Sequence, residues 1–182
     1  MQQLNPDVEE VLVTNEQIVK RCEELGKLIT NEYAKKRPLL IGLLKGAVPF
    51  MAELMKHIDC PMEIDFIDVK SYIGTQSCGK VEIVRDITSD VNNRDIIFVE
   101  DIIDTGLTLS DVCEEFKKRN PSSMAIVTLL DKKEGRRLGN VVKPKYIGFS
   151  IPKKFVIGFG LDYNEEYRNL PYIGILKPSV YE

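Results

Sequence analysis

An α/β fold, with a central parallel sheet flanked by helices, is the architecture this sequence predicts, and three observations carry that expectation. Short continuous apolar runs at Leu39 to Leu43, Ile96 to Val99 and Met124 to Leu130 have the length and composition of fully buried strands. Segments with helical spacing alternate with them through the middle of the chain, the pattern of a sheet covered on both faces. The longest stretch free of charge, Asn120 to Leu130, is far too short to cross a bilayer, so these runs belong to a core.

The elements follow in order. Thr14 and Gln17 form a capping box, and Ile18, Cys22, Leu25 and Ile29 recur at helical spacing, so Asn15 to about Lys36 reads as a helix with one buried face. Pro38 ends it and the strand Leu39 to Leu43 follows, broken by Gly46 before a second helix over Val48 to His57. Met62 to Val69 reads as a strand. Tyr72 to Lys80, rich in Gly, Ser and Thr and without an apolar face, reads as a long exposed loop before a strand at Val81 to Arg85. Loops of this kind often act as lids. After Ile96 to Val99 come a helix from about Leu107 to Arg119 and the strand Met124 to Leu130. The C-terminal third is strand-rich, with Tyr146 to Ile151, Phe155 to Phe159 and Tyr172 to Leu176 expected in a smaller appended sheet. With no internal repeat or low-complexity block, residues 1–182 read as one domain, long enough to bury roughly 70 % of its unfolded surface.

Composition narrows the function. With 25 Lys+Arg against 28 Asp+Glu, the net charge is −3 and offers no global field for nucleic acid. Asp7, Glu9 and Glu10 at the N-terminus do not read as a signal peptide. Cys22, Cys60, Cys78 and Cys113 are widely spaced with no Cys-x-x-Cys pair, which suits a reducing, cytoplasmic setting and argues against zinc or a disulfide framework. The single histidine, His57, reads as a cation near a helix C-terminus, and no Gly-x-Ser-x-Gly elbow is present, so hydrolase chemistry is excluded.

The richest chemistry lies in Glu100-Asp101-Ile102-Ile103-Asp104-Thr105-Gly106-Leu107-Thr108, after a buried strand and at the opening of a helix. That is the carboxyl edge of the sheet, where open α/β proteins bind ligands. Thr105, Gly106 and Thr108 supply a turn, hydroxyls and helix N-terminal amides, a phosphate cradle. Three carboxylates beside it are costly to crowd unless they meet a cation, a polyhydroxyl ligand or a proton. Phosphate and diol recognition from one loop points to a phosphorylated ribose; a mere helix cap would need only one Asp or Thr. The P-loop spacing is absent, and Gly158 and Gly160 lack the third glycine of a dinucleotide fingerprint.

At these residues the sequence resembles the type I phosphoribosyltransferases, and Glu100-Asp101 at the head of the loop is similar to the hypoxanthine-guanine branch. Five further segments extend the resemblance over most of the chain. Leu44-Lys45-Gly46 is similar to the family's pyrophosphate loop, and Lys70-Ser71-Tyr72 to the root of its mobile lid. Leu129-Leu130-Asp131-Lys132 resembles the segment with the base-binding lysine. Phe155-Val156-Ile157-Gly158 and Leu161-Asp162-Tyr163-Asn164, with Arg168, resemble the hood over the purine. The resemblance implies the type I fold, with a lid over about 70–81 and a hood over about 145–182 that includes part of the N-terminus. Leu107 stands where the animal enzymes carry Lys, and the chain lacks their N-terminal extension, so it looks like the compact bacterial form.

The implied reaction moves a 5-phosphoribosyl group from phosphoribosyl pyrophosphate to purine N9, through a transition state like a ribosyl oxocarbenium ion. Glu100 and Asp101 would hold the ribose hydroxyls, directly or through Mg²⁺, and Asp104 would sit at purine N7 as proton acceptor. Thr105, Gly106, Leu107 and Thr108 would bind the 5′-phosphate, by amides and hydroxyls since Leu107 brings no charge. The backbone amides of Lys45 and Gly46, together with Arg168, would bind pyrophosphate, and Asp162 would carry a second Mg²⁺ through water. Ser71 and Tyr72 would close over the reactive carbon. Phe155 would stack on the purine and the Val156 backbone read its edge, while Lys132 would donate to a 6-oxo group and oppose the 6-amino group of adenine. Taken singly, Lys45 reads as an exposed charge, Arg168 with Asp162 as a surface ion pair, and Phe155 as core. Two alternatives stand beside this reading: an RNA-binding regulator on the same fold, with Lys132, Lys133, Arg136 and Arg137 as its best basic cluster, and a phosphoribosyltransferase for another base. The expected partners are phosphoribosyl pyrophosphate, 6-oxopurines and further copies of the chain as a homodimer or homotetramer, with no nucleic acid and no membrane.

Overall fold

The computed structural model describes residues 4–71, 81–135 and 142–181, and the expected lid, including Tyr72, lies almost wholly outside them. In chain order the elements are β1 (Val8–Val13), α1 (Asn15–Tyr33), β2 (Leu39–Leu44), α2 (Ala47–Met55), β3 (Glu63–Ser71), β4 (Val81–Arg85), β5 (Asp95–Ile103), α3 (Leu107–Lys117), β6 (Ser123–Asp131), β7 (Tyr146–Ser150), β8 (Val156–Ile157), β9 (Ile173–Leu176) and α4 (Pro178–Tyr181). The main sheet has the order β4-β3-β2-β5-β6-β7. Its strands run parallel from β3 to β7, and β4 pairs antiparallel at one edge.

The buried strands show why they read as unbroken apolar runs. Successive side chains point to opposite faces, and here both faces are covered. Leu40, Ile97, Val99, Val127 and Leu129 enter a core with Ile18, Cys22, Leu25 and Ile29 of α1 and Phe50, Met51 and Leu54 of α2. Leu39, Ile41, Leu43, Ile96 and Phe98 enter the opposite core with Leu109, Val112 and Phe116 of α3. The Thr14–Gln17 capping box forms as expected, with Thr14 Oγ1 accepting from Gln17 N at 3.3 Å and Gln17 Oε1 accepting from Thr14 N at 2.8 Å. His57 follows α2, where its Nε2 pairs with Glu53 Oε1 at 3.1 Å.

Two expectations are corrected. Tyr146–Ser150 does not join the small sheet: as β7 it pairs parallel with β6 and forms an edge of the main one. Arg21 of α1 covers that edge, its Nε and Nη2 donating to the Gly148 and Ile147 carbonyls at 3.0 and 2.7 Å. Second, Ile96 to Val99 is only the first half of its strand. β5 runs on through Glu100 to Ile103, so the first two acids belong to the sheet itself.

The small sheet is antiparallel, in the order β1-β9-β8, and joins the two ends of the chain. Val8, Ile157, Tyr172 and Leu176 form its own apolar cluster. Its turns press on the main domain. Gly160, at φ +102°, lies so close to the loop after β2 that a Cβ would come within 2.0 Å of the Gly46 carbonyl oxygen. Replacing Gly160 by Ala should therefore cost about 2–4 kcal/mol through backbone strain and the clash. A drop in Tm of about 5–15 °C follows. An unchanged melting curve would show that the two loops are not apposed.

Candidate active site

The C-terminal end of β5, the loop after it and the start of α3 enclose a cavity of about 270 Å³. Glu100, Asp101, Asp104, Thr105, Gly106 and Thr108 line it, with Leu43 and Leu44 from the end of β2. The parallel order β2-β5-β6 makes this possible, because three strands deliver their carboxyl ends to one edge. Gly106 is the N-cap of α3 in the left-handed conformation, φ +74°, which turns the chain sharply from strand end to helix. Thr105 Oγ1 accepts from Leu107 N at 3.4 Å, so the hydroxyl lies among the first helical amides. Leu107 heads the helix, and its side chain brings no charge.

Burial pushes the Glu100 carboxyl well above the usual carboxylate range, and the adjacent Asp101 charge pushes it further. Asp101 is raised too, again by burial, against the pull of its hydrogen bonds and of the Arg168 charge. Asp101 Oδ1 accepts from Ile102 N at 2.7 Å, and its other oxygen lies against Gly46, where a Cβ would stand only 1.6 Å away. The acids thus touch the loop after β2, which holds the cis peptide Leu44–Lys45.

Asp104 is half exposed, and its Oδ2 pairs with Lys132 Nζ at 3.4 Å. The Lys132 side chain is only 11 % exposed, so it is no solvated turn residue. Its backbone N donates to the Ile103 carbonyl at 2.9 Å, which fixes the lysine beside the end of β5.

Arg168 gathers the remaining charges. Its Nη1 donates to the Gly160 carbonyl at 2.7 Å, and its Nη2 pairs with Asp162 Oδ1 at 2.9 Å and Glu165 Oε2 at 3.4 Å. Lys45 Nζ meets the same Glu165 oxygen at 3.0 Å. Among the described residues the buried Arg168 Nε has no hydrogen-bond partner. Glu165 was not singled out in the sequence; only its neighbours Asp162 and Arg168 gave a signal, and its role depends on the turn that carries it. Phe155, the residue before β8, is 38 % exposed, edge-on to Tyr163 and stacked on Tyr181 of α4 at 5.1 Å. The Val156 side chain is buried in the core, leaving its backbone as the group that could face a ligand. These two residues are not among those lining the cavity. Ser71 ends β3, while Tyr72 lies outside the described residues.

The donor set fits a magnesium ion. Among the described residues no three of His, Cys, Asp and Glu are grouped to cage a metal, and Asp162 is committed to Arg168. Mg²⁺ needs no such cage, since it takes one or two carboxylates and completes its shell with water and substrate oxygens. Glu100 and Asp101 are such a pair, and their raised proton affinity marks a place where a cation would be welcome.

The acid pair at the end of β5, the N-terminus of α3 and the loop after β2 thus meet at one edge of the sheet. The chain belongs to the phosphoribosyltransferase family: the family described as Phosphoribosyl transferase domain matches residues 9–164. It is 54 % identical to the hypoxanthine-guanine phosphoribosyltransferase of Bacillus subtilis over 97 % of both chains. It is also 54 % identical to the enzyme of that name from Lactococcus lactis, over 98 % of this chain and 96 % of the relative. A crystal structure of a hypoxanthine phosphoribosyltransferase from Staphylococcus aureus superposes with a TM-score of 0.93 at 46 % identity, covering 99 % of this chain and 100 % of that one. The type I fold expected from the sequence is therefore the fold of this chain.

Proposed function

We propose that the protein is a purine-salvage enzyme that transfers the 5-phosphoribosyl group of phosphoribosyl pyrophosphate to hypoxanthine or guanine, forming IMP or GMP and pyrophosphate. The observation that carries this reading is the single cavity in which the acid pair and the phosphate cradle meet. Full-length similarity to enzymes of that name supports the choice of base. Those relatives give no support to an RNA-binding regulator or to another base, and Lys132 is engaged with Asp104 instead of forming a free basic surface.

Catalysis on this reading is positioning and electrostatics. The amides and hydroxyls of Thr105 to Thr108 hold the 5′-phosphate. Glu100 and Asp101 hold the ribose diol beneath the carbon that becomes cationic, where negative charge stabilises the transition state. Glu100 and Asp101 would hold a Mg²⁺ ion, which would offset negative charge on the substrate oxygens. The Lys45 and Gly46 amides and Arg168 receive the departing pyrophosphate, and Asp162 holds Arg168 in place and would carry a second Mg²⁺ only through water. Asp104 accepts the proton at N7 while Lys132 donates to the 6-oxo group; Phe155 and the Val156 backbone hold the ring. Ser71 and Tyr72 begin the segment that excludes water from the activated sugar.

We also propose a reducing, cytoplasmic setting and a homodimer or homotetramer. Burial pushes the Cys22 thiol up to about 12 and the Cys113 thiol up to about 11, so neither is poised for oxidation. No described helix is long and apolar enough to cross a membrane.

Lys132 tests the choice of base. Lys132→Gln keeps some length but adds an acceptor and removes the charge. The expected result is a 10–100-fold fall in kcat/KM for hypoxanthine, as for loss of a charge-assisted hydrogen bond of ~1.5–3 kcal/mol. Discrimination against adenine should narrow when both bases are assayed on both proteins. Unchanged hypoxanthine kinetics with an unchanged hypoxanthine-to-adenine ratio would refute the assignment.

A further inference from the structure

The Glu165 carboxylate lies where two cations converge. One oxygen, Oε2, is 3.0 Å from Lys45 Nζ and 3.4 Å from Arg168 Nη2, joining the loop after β2 to the hood turn. Among the described residues no other side chain holds it: the Glu165 side chain is 65 % exposed and stands on a turn residue at φ +67°. Asp162 differs, because it is held twice, by Arg168 and by the Glu165 backbone N at 3.0 Å. Glu165 is thus an anion bound between cations by charge, easily withdrawn by rotation into solvent.

We propose that Glu165 is an internal competitor for the pyrophosphate group, occupying the Lys45–Arg168 anion site when pyrophosphate is absent and swinging out when it binds. This rests on the reading of the Lys45–Gly46 backbone and Arg168 as the pyrophosphate site, to which it adds the Lys45 ammonium. The physical consequence is that the carboxylate subtracts its own ion pairs from the affinity for pyrophosphate, so the product leaves faster. Hydrogen bonding from Lys45 holds the Glu165 carboxyl below the usual carboxylate range, so it remains a charged competitor at neutral pH.

The test is calorimetric binding of pyrophosphate with Mg²⁺, alongside initial-rate kinetics, on five proteins: wild type, Glu165→Gln, Lys45→Ala, Lys45→Ala with Glu165→Gln, and Arg168→Ala. Glu165→Gln keeps the shape and removes the charge. The expected result is pyrophosphate binding tightened by about three- to tenfold, the scale of one or two screened ion pairs. KM for phosphoribosyl pyrophosphate should fall in parallel while KM for hypoxanthine stays put, a split that a merely structural role would not give. In the Lys45→Ala background the gain should shrink, since one of the two ion pairs is already gone. Weaker binding in Glu165→Gln would make Glu165 a scaffold for the cations, and unchanged binding would make it a surface ion pair; either overturns the proposal. If Lys45→Ala alone leaves pyrophosphate affinity unchanged, its ammonium is no part of the site and the proposal falls; the underlying reading fails separately, if Arg168→Ala leaves that affinity unchanged.

Discussion

Replacing Asp104 by Asn is expected to lower kcat by about 10²–10⁴-fold, the range for loss of a general base, while leaving the fold and the phosphate cradle intact. Asn preserves size and the acceptor toward Lys132 Nζ, 3.4 Å away in the wild type, but cannot take up a proton at neutral pH. Asp104 makes no cap contact with α3, whose N-cap is Gly106, so the helix should not loosen. The check is a steady-state comparison with hypoxanthine, together with a melting curve. A kcat within twofold of wild type would reduce Asp104 to the partner that orients Lys132. A fall in KM selectivity without a fall in kcat would point the same way.

Removing divalent cations with excess chelator is expected to abolish turnover, with Mg²⁺ restoring it. The same acids that would hold the ion should make the metal-free protein less stable than it could be. The native Glu100 and Asp101 carboxyls bind protons more tightly than in the unfolded chain, chiefly because burial penalises their charged forms. The sign follows from linkage: the cost is absent below the ordinary carboxylate range, grows as pH rises through it, and is complete above the raised native values. Glu100→Gln with Asp101→Asn should therefore raise Tm of the metal-free protein at pH 7 to 8, by ~2–4 °C for each kcal/mol relieved, while losing activity. The gain should vanish near pH 4. Full activity in excess chelator would remove magnesium from the reaction, and a lower Tm in the double variant would show that the acids are not crowded.

The sequence by itself determined the parallel core and the kind of ligand. Unbroken apolar runs such as Leu39 to Leu43 and Ile96 to Val99 admit only strands covered on both faces, because every second residue faces each way. Glu100-Asp101 with Asp104 to Thr108 could be read as sugar-phosphate chemistry because charge crowding and helix N-terminal amides are properties of neighbours in the chain. Tertiary structure alone decided the rest. Tyr146–Ser150 looks the same to a local pattern in either sheet, and only pairing with β6 placed it in the main one. β5 extends through Glu100 and Asp101 because β6 continues beside it, supplying hydrogen bonds that offset the cost of placing acids in a strand. Glu165 could not be singled out from its neighbours. It meets Lys45 across a separation of 120 residues, and that meeting exists only because the Gly160 turn packs on the Gly46 carbonyl. Contacts set by strand order and by one close backbone approach have no local sequence signal, since the chain encodes them only through the fold as a whole.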